Sequence, residues 1–204
     1  MANQDYRGKL QAYIQQNAKP PEKFSHQARL YVLAHKLGQA EGKFFDDDVL
    51  FAAAWLHDLG VFIGHRPEDP MKLVNWDHIS YAIVQTPRIL GEIGFPKEKI
   101  SAVCEAIRTH MPGSAPITFE GNLLREADIL EQLGAVGILR TVSKIGRDTR
   151  FKLFGDAIDA LRKNLKELPK RLTFGSAQRL AEHRIEVLIV FISGAEEESR
   201  GIQW

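Results

Sequence analysis

Residues 46–60 read Asp46-Asp47-Asp48-Val49-Leu50-Phe51-Ala52-Ala53-Ala54-Trp55-Leu56-His57-Asp58-Leu59-Gly60. Three carboxylates open the stretch, where negative charge favours the positive end of a helix dipole. An unbroken apolar run follows from Val49 to Leu56. A strongly apolar helix over Val49–His57, stopped at Gly60, satisfies this pattern. His57 and Asp58 stand at its C-terminal end. Adjacent helical residues point about 100° apart, so this pair shares an ion only from a helix end or from a site shaped around it. A neutral imidazole and a carboxylate beside an apolar wall suit a divalent cation, which offsets the cost of burying the charge of Asp58. The plainer alternative is a helix C-cap whose polar groups make ordinary surface hydrogen bonds.

Outward from this segment, nearly every long stretch repeats at helical spacing. Leu10, Tyr13 and Ile14 mark an amphipathic helix that stops before Pro20-Pro21. Ser25 reads as the N-cap of a helix through Leu30, Leu33 and Leu37, with Gly38 near its end. Residues 61–75 contain Gly64, Pro67 and Pro70 and read as a long loop. Asn75 is expected to cap a helix carrying His78, Ala82 and Gln85, which Pro87 shortens or kinks. Pro96 opens a helix with Ile100, Val103, Ile107 and His110 on one face, ended by Pro112-Gly113. Leu123 to Leu133 form a short helix, followed by Gly134 to Gly137 and a helical stretch to about Lys144. Residues 151–168 and 176–193 read as two closing helices. No period-two series and no internal repeat interrupts this. The expectation is an all-α globular helical bundle, one domain over residues 1–204.

Composition agrees with a compact domain. The chain has 204 residues, 27 Lys and Arg against 26 Asp and Glu, and a formal net charge of +1. That balance excludes a mainly electrostatic nucleic-acid or membrane-surface binder, which would be distinctly basic. Apolar residues at 44% suffice for a core, which excludes disorder. One cysteine, Cys104, excludes an internal disulfide framework and a multi-cysteine zinc site, and it reads as a small buried apolar residue. The start, Met1-Ala2-Asn3-Gln4-Asp5-Tyr6-Arg7, has no apolar leader, so a cytoplasmic location is expected. The longest apolar run after Leu56, Val187 to Ile192, falls far short of the roughly 20 residues of a membrane span. It reads as core, with a homodimer seam as the alternative. Hydrolase nucleophile elbows, Walker-type phosphate loops and dinucleotide fingerprints are absent from the sequence.

The remaining histidines give the site its shape. His26 falls in the first turn of its helix and His110 in the last turn of another, while Asp128 shares a face with Leu124 and Glu131. Metal centres in helical proteins are built this way, from side chains projecting inward from several helices. The series His26, His57-Asp58, His78, His110, Asp128 resembles the HD-domain superfamily of metal-dependent phosphohydrolases. The local contexts carry the resemblance: Ser25-His26-Gln27-Ala28-Arg29-Leu30, Ala54-Trp55-Leu56-His57-Asp58-Leu59-Gly60, Ala106-Ile107-Arg108-Thr109-His110, and the stretch from Glu126 through Asp128 and Glu131 to Arg140. It covers about residues 20–145, leaving 146–204 as a C-terminal helical extension.

The resemblance implies that His26, His57, Asp58 and Asp128 hold a first divalent ion (manganese, iron, cobalt, nickel or magnesium). His78 and His110 match two further ligands in members with a two-ion centre, with Asp58 bridging. In a one-ion centre they would instead act on the substrate phosphate or protonate the leaving oxygen. The implied activity is hydrolysis of a nucleotide or another small phosphorylated metabolite by a metal-activated water, with Asp58, His78, His110 and Arg140 taking part. A di-iron oxygenase with the same six ligands, or a non-catalytic metal-binding or sensor domain, are the alternatives. Glu131 stands where related members tend to have Asp, and residues 59–66 lack a lysine for phosphate. Arg140, Lys144 and Arg147 form a cationic stripe that is either solvated or turned to substrate, and Arg29 has the same two readings. His35 and His183 read as structural or solvent-facing, and His65 as loop surface or pocket rim.

Overall fold

The computed structural model describes residues 5–202, so the first four residues of the start read above lie outside the described residues. These residues hold ten α-helices and no strand. The chain divides into two compact units, residues 1–125 and 126–204.

In the first unit, α3 (Asp47–Leu56) is the centre. All eight residues from Val49 to Leu56 are buried, as a helix apolar on every side requires. Its neighbours are α1 (Tyr6–Asn17), α2 (Glu22–Glu41) and α6 (Ile100–Arg108). Asp46 caps it, accepting hydrogen bonds from the Asp48 and Val49 backbone N–H groups at 3.0 and 3.2 Å. Asp48 anchors the same end by accepting from Tyr6 Oη, Arg7 Nη2 and Lys99 Nζ at 2.5, 2.7 and 2.8 Å. The helix thus enters the core with its charges gathered at one end, and it delivers His57 and Asp58 at the other.

Several sequence expectations are corrected in detail. The second helix begins at Glu22 after Pro21, not at Ser25, whose hydroxyl donates back to the Glu22 carbonyl. It ends at Gly42, where a φ of +63° in the left-handed region suits a residue without a β-carbon. The 61–75 loop contains a short helix, α4 (Pro70–Val74). Asp77, not Asn75, caps α5 (His78–Glu92) by accepting from the Ile79 and Ser80 N–H groups. Pro87 does not end α5, which continues to Glu92. A 3-10 turn at Lys97–Lys99 precedes α6, so Pro96 opens that turn. His110 stands two residues beyond Arg108, the last residue of α6, with its imidazole against the Ile107 carbonyl. Cys104 is half-buried, and burial raises its thiol pKa.

Helix α7 (Phe119–Glu131) carries the chain into the second unit. There α8 (Gly134–Val142), α9 (Phe154–Glu167) and α10 (Gly175–Ser199) pack on one another. Gly134 to Gly137 lie inside α8 and do not precede it. Glu126, fully buried, accepts from the Thr173 N–H and hydroxyl and from the Phe174 N–H, just ahead of α10. Arg184 of α10 donates to the Leu130 carbonyl. The apolar run in α10 is core only in part. Leu188 and Ile192, one turn apart, are buried, whereas Ile189, Val190 and Phe191 are exposed, since a helix can turn only one stripe of such a run inward.

Candidate metal centre

His57 closes α3 and Asp58 is the first residue past it. The His57 Nδ1 lies 3.0 Å from the Ala54 carbonyl oxygen, and His110 Nδ1 lies 2.6 Å from that of Ile107. A carbonyl only accepts, so the proton of each neutral ring sits on Nδ1 and Nε2 keeps a lone pair. This is the arrangement that orients a metal-ligating histidine.

The Nε2 atoms of His26 and His57 converge on one carboxylate. His26 Nε2 is 3.8 Å from Asp58 Oδ2, and His57 Nε2 is 3.7 Å from Asp58 Oδ1. The His57 ring stands edge-on to both His26 and His110, with centroids 5.4 and 5.0 Å apart. Two groups result, each with ligand atoms within 4.8 Å of one another: His26, His57 and Asp58, and then Asp58, His78 and His110. Asp58 belongs to both. Bonds of about 2.1 Å to one ion put two ligand atoms at most about 4.2 Å apart, so the 3.7 and 3.8 Å separations can each be bridged by one ion. Neutral imidazoles with a carboxylate form a donor set suited to a divalent ion.

His78 opens α5, and its placement depends on the strand of chain after Asp58. Trp76 Nε1 donates to the Gly60 carbonyl at 2.7 Å. Burial pushes the His78 imidazole below its ordinary pKa, and His110 and Lys23 push the same way against Asp58 and Asp77. The neutral ring, the one that offers a lone pair, is favoured.

The structure thus brings together five of the six ligand candidates. Asp128 lies in the second unit, buried, with its Oδ2 accepting from Gln132 Nε2 at 3.1 Å. Arg140 Nη1 lies 3.7 Å from Asp128 Oδ1 and 3.9 Å from Glu131 Oε2. Both carboxylates belong to the same unit as Arg140, while Arg147 is exposed and Lys144 lies over the Phe151 ring. Arg29 donates to the Ser25 hydroxyl. His35 faces Asp47 at 3.7 Å, and His183 is exposed. His65 is tied into the first unit by Tyr81 Oη at 3.0 Å and Asn17 Oδ1 at 3.1 Å, and burial lowers its pKa. The loop beyond it lines a cleft of about 290 Å³ with Ile63, Arg66, Glu68 and Leu73.

Sequence reasoning missed Lys23. Its ammonium lies 3.7 Å from Asp58 Oδ2. The available signal was its spacing, three residues before His26 on the same helix, which puts both on one face.

The chain is similar in fold to Bacillus subtilis YpgQ, at 23% identity and a TM-score of 0.74, with both chains covered in full. The complex of YpgQ with ADP gives 23% identity and a TM-score of 0.69 over 97% of this chain and 100% of that one. An HD-superfamily hydrolase from Bacillus thuringiensis gives 22% and 0.67 over 97% and 98%. No curated protein sequence matches. No helix among the described residues is long and apolar enough to cross a membrane. The HD domain model matches residues 24–133, more than half of the chain and the whole stretch from His26 to Asp128, and on that match the chain belongs to the HD domain family.

Proposed function

We propose that the chain is a metal-dependent phosphohydrolase acting on a nucleotide or another small phosphorylated metabolite. The observation that carries this reading is the pair of His/Asp groups sharing Asp58. One or two divalent ions would be held by His26, His57, Asp58, His78 and His110, with Asp128 as the further carboxylate that the motif order implies. When bound, such an ion supplies a Lewis acid that brings the pKa of a bound water toward neutrality and offsets charge on phosphoryl oxygens.

The residues of the chain supply the rest. His57 and His110 keep their protons on Nδ1, against backbone carbonyls, and present Nε2 without a rotamer search. The apolar flank of α3 limits water around Asp58, which strengthens every charge interaction there. Arg140 is assigned to the substrate side, where a guanidinium binds phosphoryl oxygens in a bidentate manner. The ADP bound by YpgQ supports a nucleotide over other phosphorylated compounds, and the single cysteine supports a reducing, cytoplasmic setting.

The test is a screen of nucleotides and sugar phosphates against metal-free protein resupplied with manganese, iron, cobalt, nickel or magnesium. Phosphate release with at least one ion is expected. Oxygen consumption by the iron-loaded protein, without phosphate release from any compound, would replace this reading with the di-iron oxygenase.

A further inference from the structure

Lys23 stands one helical turn before His26, on the same face of α2. Its ammonium is 3.7 Å from Asp58 Oδ2, too far for a hydrogen bond. Among the described residues the ammonium donates no hydrogen bond. Lys99 shows the contrast: its ammonium donates to Asp46 at 2.9 Å and to Asp48 at 2.8 Å, closing a structural ion pair. Lys23 is held near a carboxylate without being consumed by it.

The backbone under Lys23 is fixed. Its N–H donates to the Pro20 carbonyl at 3.0 Å, and the Ile63 N–H, from the loop after Asp58, donates to the Lys19 carbonyl at 3.1 Å. The start of α2 is thereby tied to the segment that follows the His-Asp doublet.

Around this ammonium the first unit gathers four imidazoles and a single carboxylate. A divalent ion sets two positive charges against those of Asp58 and, in the reading above, Asp128, so the charge of Lys23 is left in excess. The repulsion becomes attraction only when an anion lies between the ammonium and the ion. The three unused donors of Lys23 match the oxygens of such an anion.

We infer that Lys23 is the anion-binding residue of the centre, donating hydrogen bonds to a non-bridging oxygen of the substrate's phosphoryl group. It fills the role for which residues 59–66 offer no lysine. The inference rests on the phosphohydrolase reading above, and its test separates the two.

Inorganic phosphate is titrated calorimetrically into the metal-loaded protein. Lys23→Gln is expected to bind it roughly tenfold to a hundredfold more weakly than the native protein, the range for a lost charge-assisted hydrogen bond. Its ion content and melting temperature should match the native values, and Lys23→Arg should recover part of the affinity. Native phosphate affinity in Lys23→Gln overturns the assignment and leaves the hydrolase reading intact. Loss of ion from Lys23→Gln also overturns it, since Lys23 would then serve the ion and not the anion. A native protein that neither binds phosphate nor releases it from any compound removes the hydrolase reading, and the inference with it.

Discussion

Gly60 passes so close to His78 that a β-carbon on it would stand 2.5 Å from the His78 carbonyl oxygen and 2.8 Å from its Cα. The obstacle is backbone, so it cannot rotate away. Gly60→Ala is therefore expected to cost about 1–3 kcal/mol of stability, the range for overpacking a filled interior. The same shift moves His78 away from Asp58. Thermal melts with and without a divalent ion check both effects: the ion should stabilise the variant less than it stabilises the native protein. Equal stabilisation would mean that His78 does not depend on this close approach.

Asp58 is the residue on which both ligand groups depend. Asp58→Asn is expected to lose bound metal and at least a hundredfold in turnover, read by elemental analysis and phosphate release. His26→Ala and His110→Ala each break one group only. If two ions are held, each of these variants should keep one. Full metal content and native turnover in Asp58→Asn would defeat the assignment.

Acid should act on the opposite end of α3. Although burial pulls the Asp48 carboxyl upward, Lys99, Tyr6 and Arg7 hold it well below the usual carboxylate range. A pKa lowered by folding stabilises the fold above the unfolded value, near ~3.9, and that contribution is lost as the pH falls from there toward the folded value. Denaturant melts of the native protein should show a fall in stability below about pH 4. Asp48→Asn should be less stable at neutral pH and show a flatter acid limb. Parallel acid limbs would assign the fall to other carboxylates.

In α10, Leu188 and Val190 separate the inward and outward stripes. Leu188→Ala should cost about 2–5 kcal/mol. Val190→Ala, at a position 72% exposed, should stay within about 0.5 kcal/mol. Comparable losses at both positions would show that the outer stripe is covered in solution.

What could be read in advance follows a physical division. The helix that became α3 was legible because cap, dipole and burial all favour one structure there. The five candidates that the first unit gathers could be named beforehand because each lies near or just past a helix end. Boundaries were less so, since Ser25, Asn75 and Asp77 are equally good caps by residue type and only the tertiary path selects Asp77. The end of α6 was read two residues too far, since His110 continues the apolar face of Ile100, Val103 and Ile107 although the helix stops at Arg108. Lys23 carried no motif. A lysine in the first turn of a charged helix resembles any surface lysine until the chain returns Asp58 to it.

Glu126 sets a limit on dissection of the chain. Its carboxylate is satisfied by groups of Thr173 and Phe174, 47 and 48 residues further on. A fragment that keeps α7 but stops before residue 173 takes these donors away from a buried carboxylate, at a penalty of several kcal/mol. Shortening from the C-terminus should therefore yield insoluble or protease-sensitive material well before it reaches any residue of the histidine cluster.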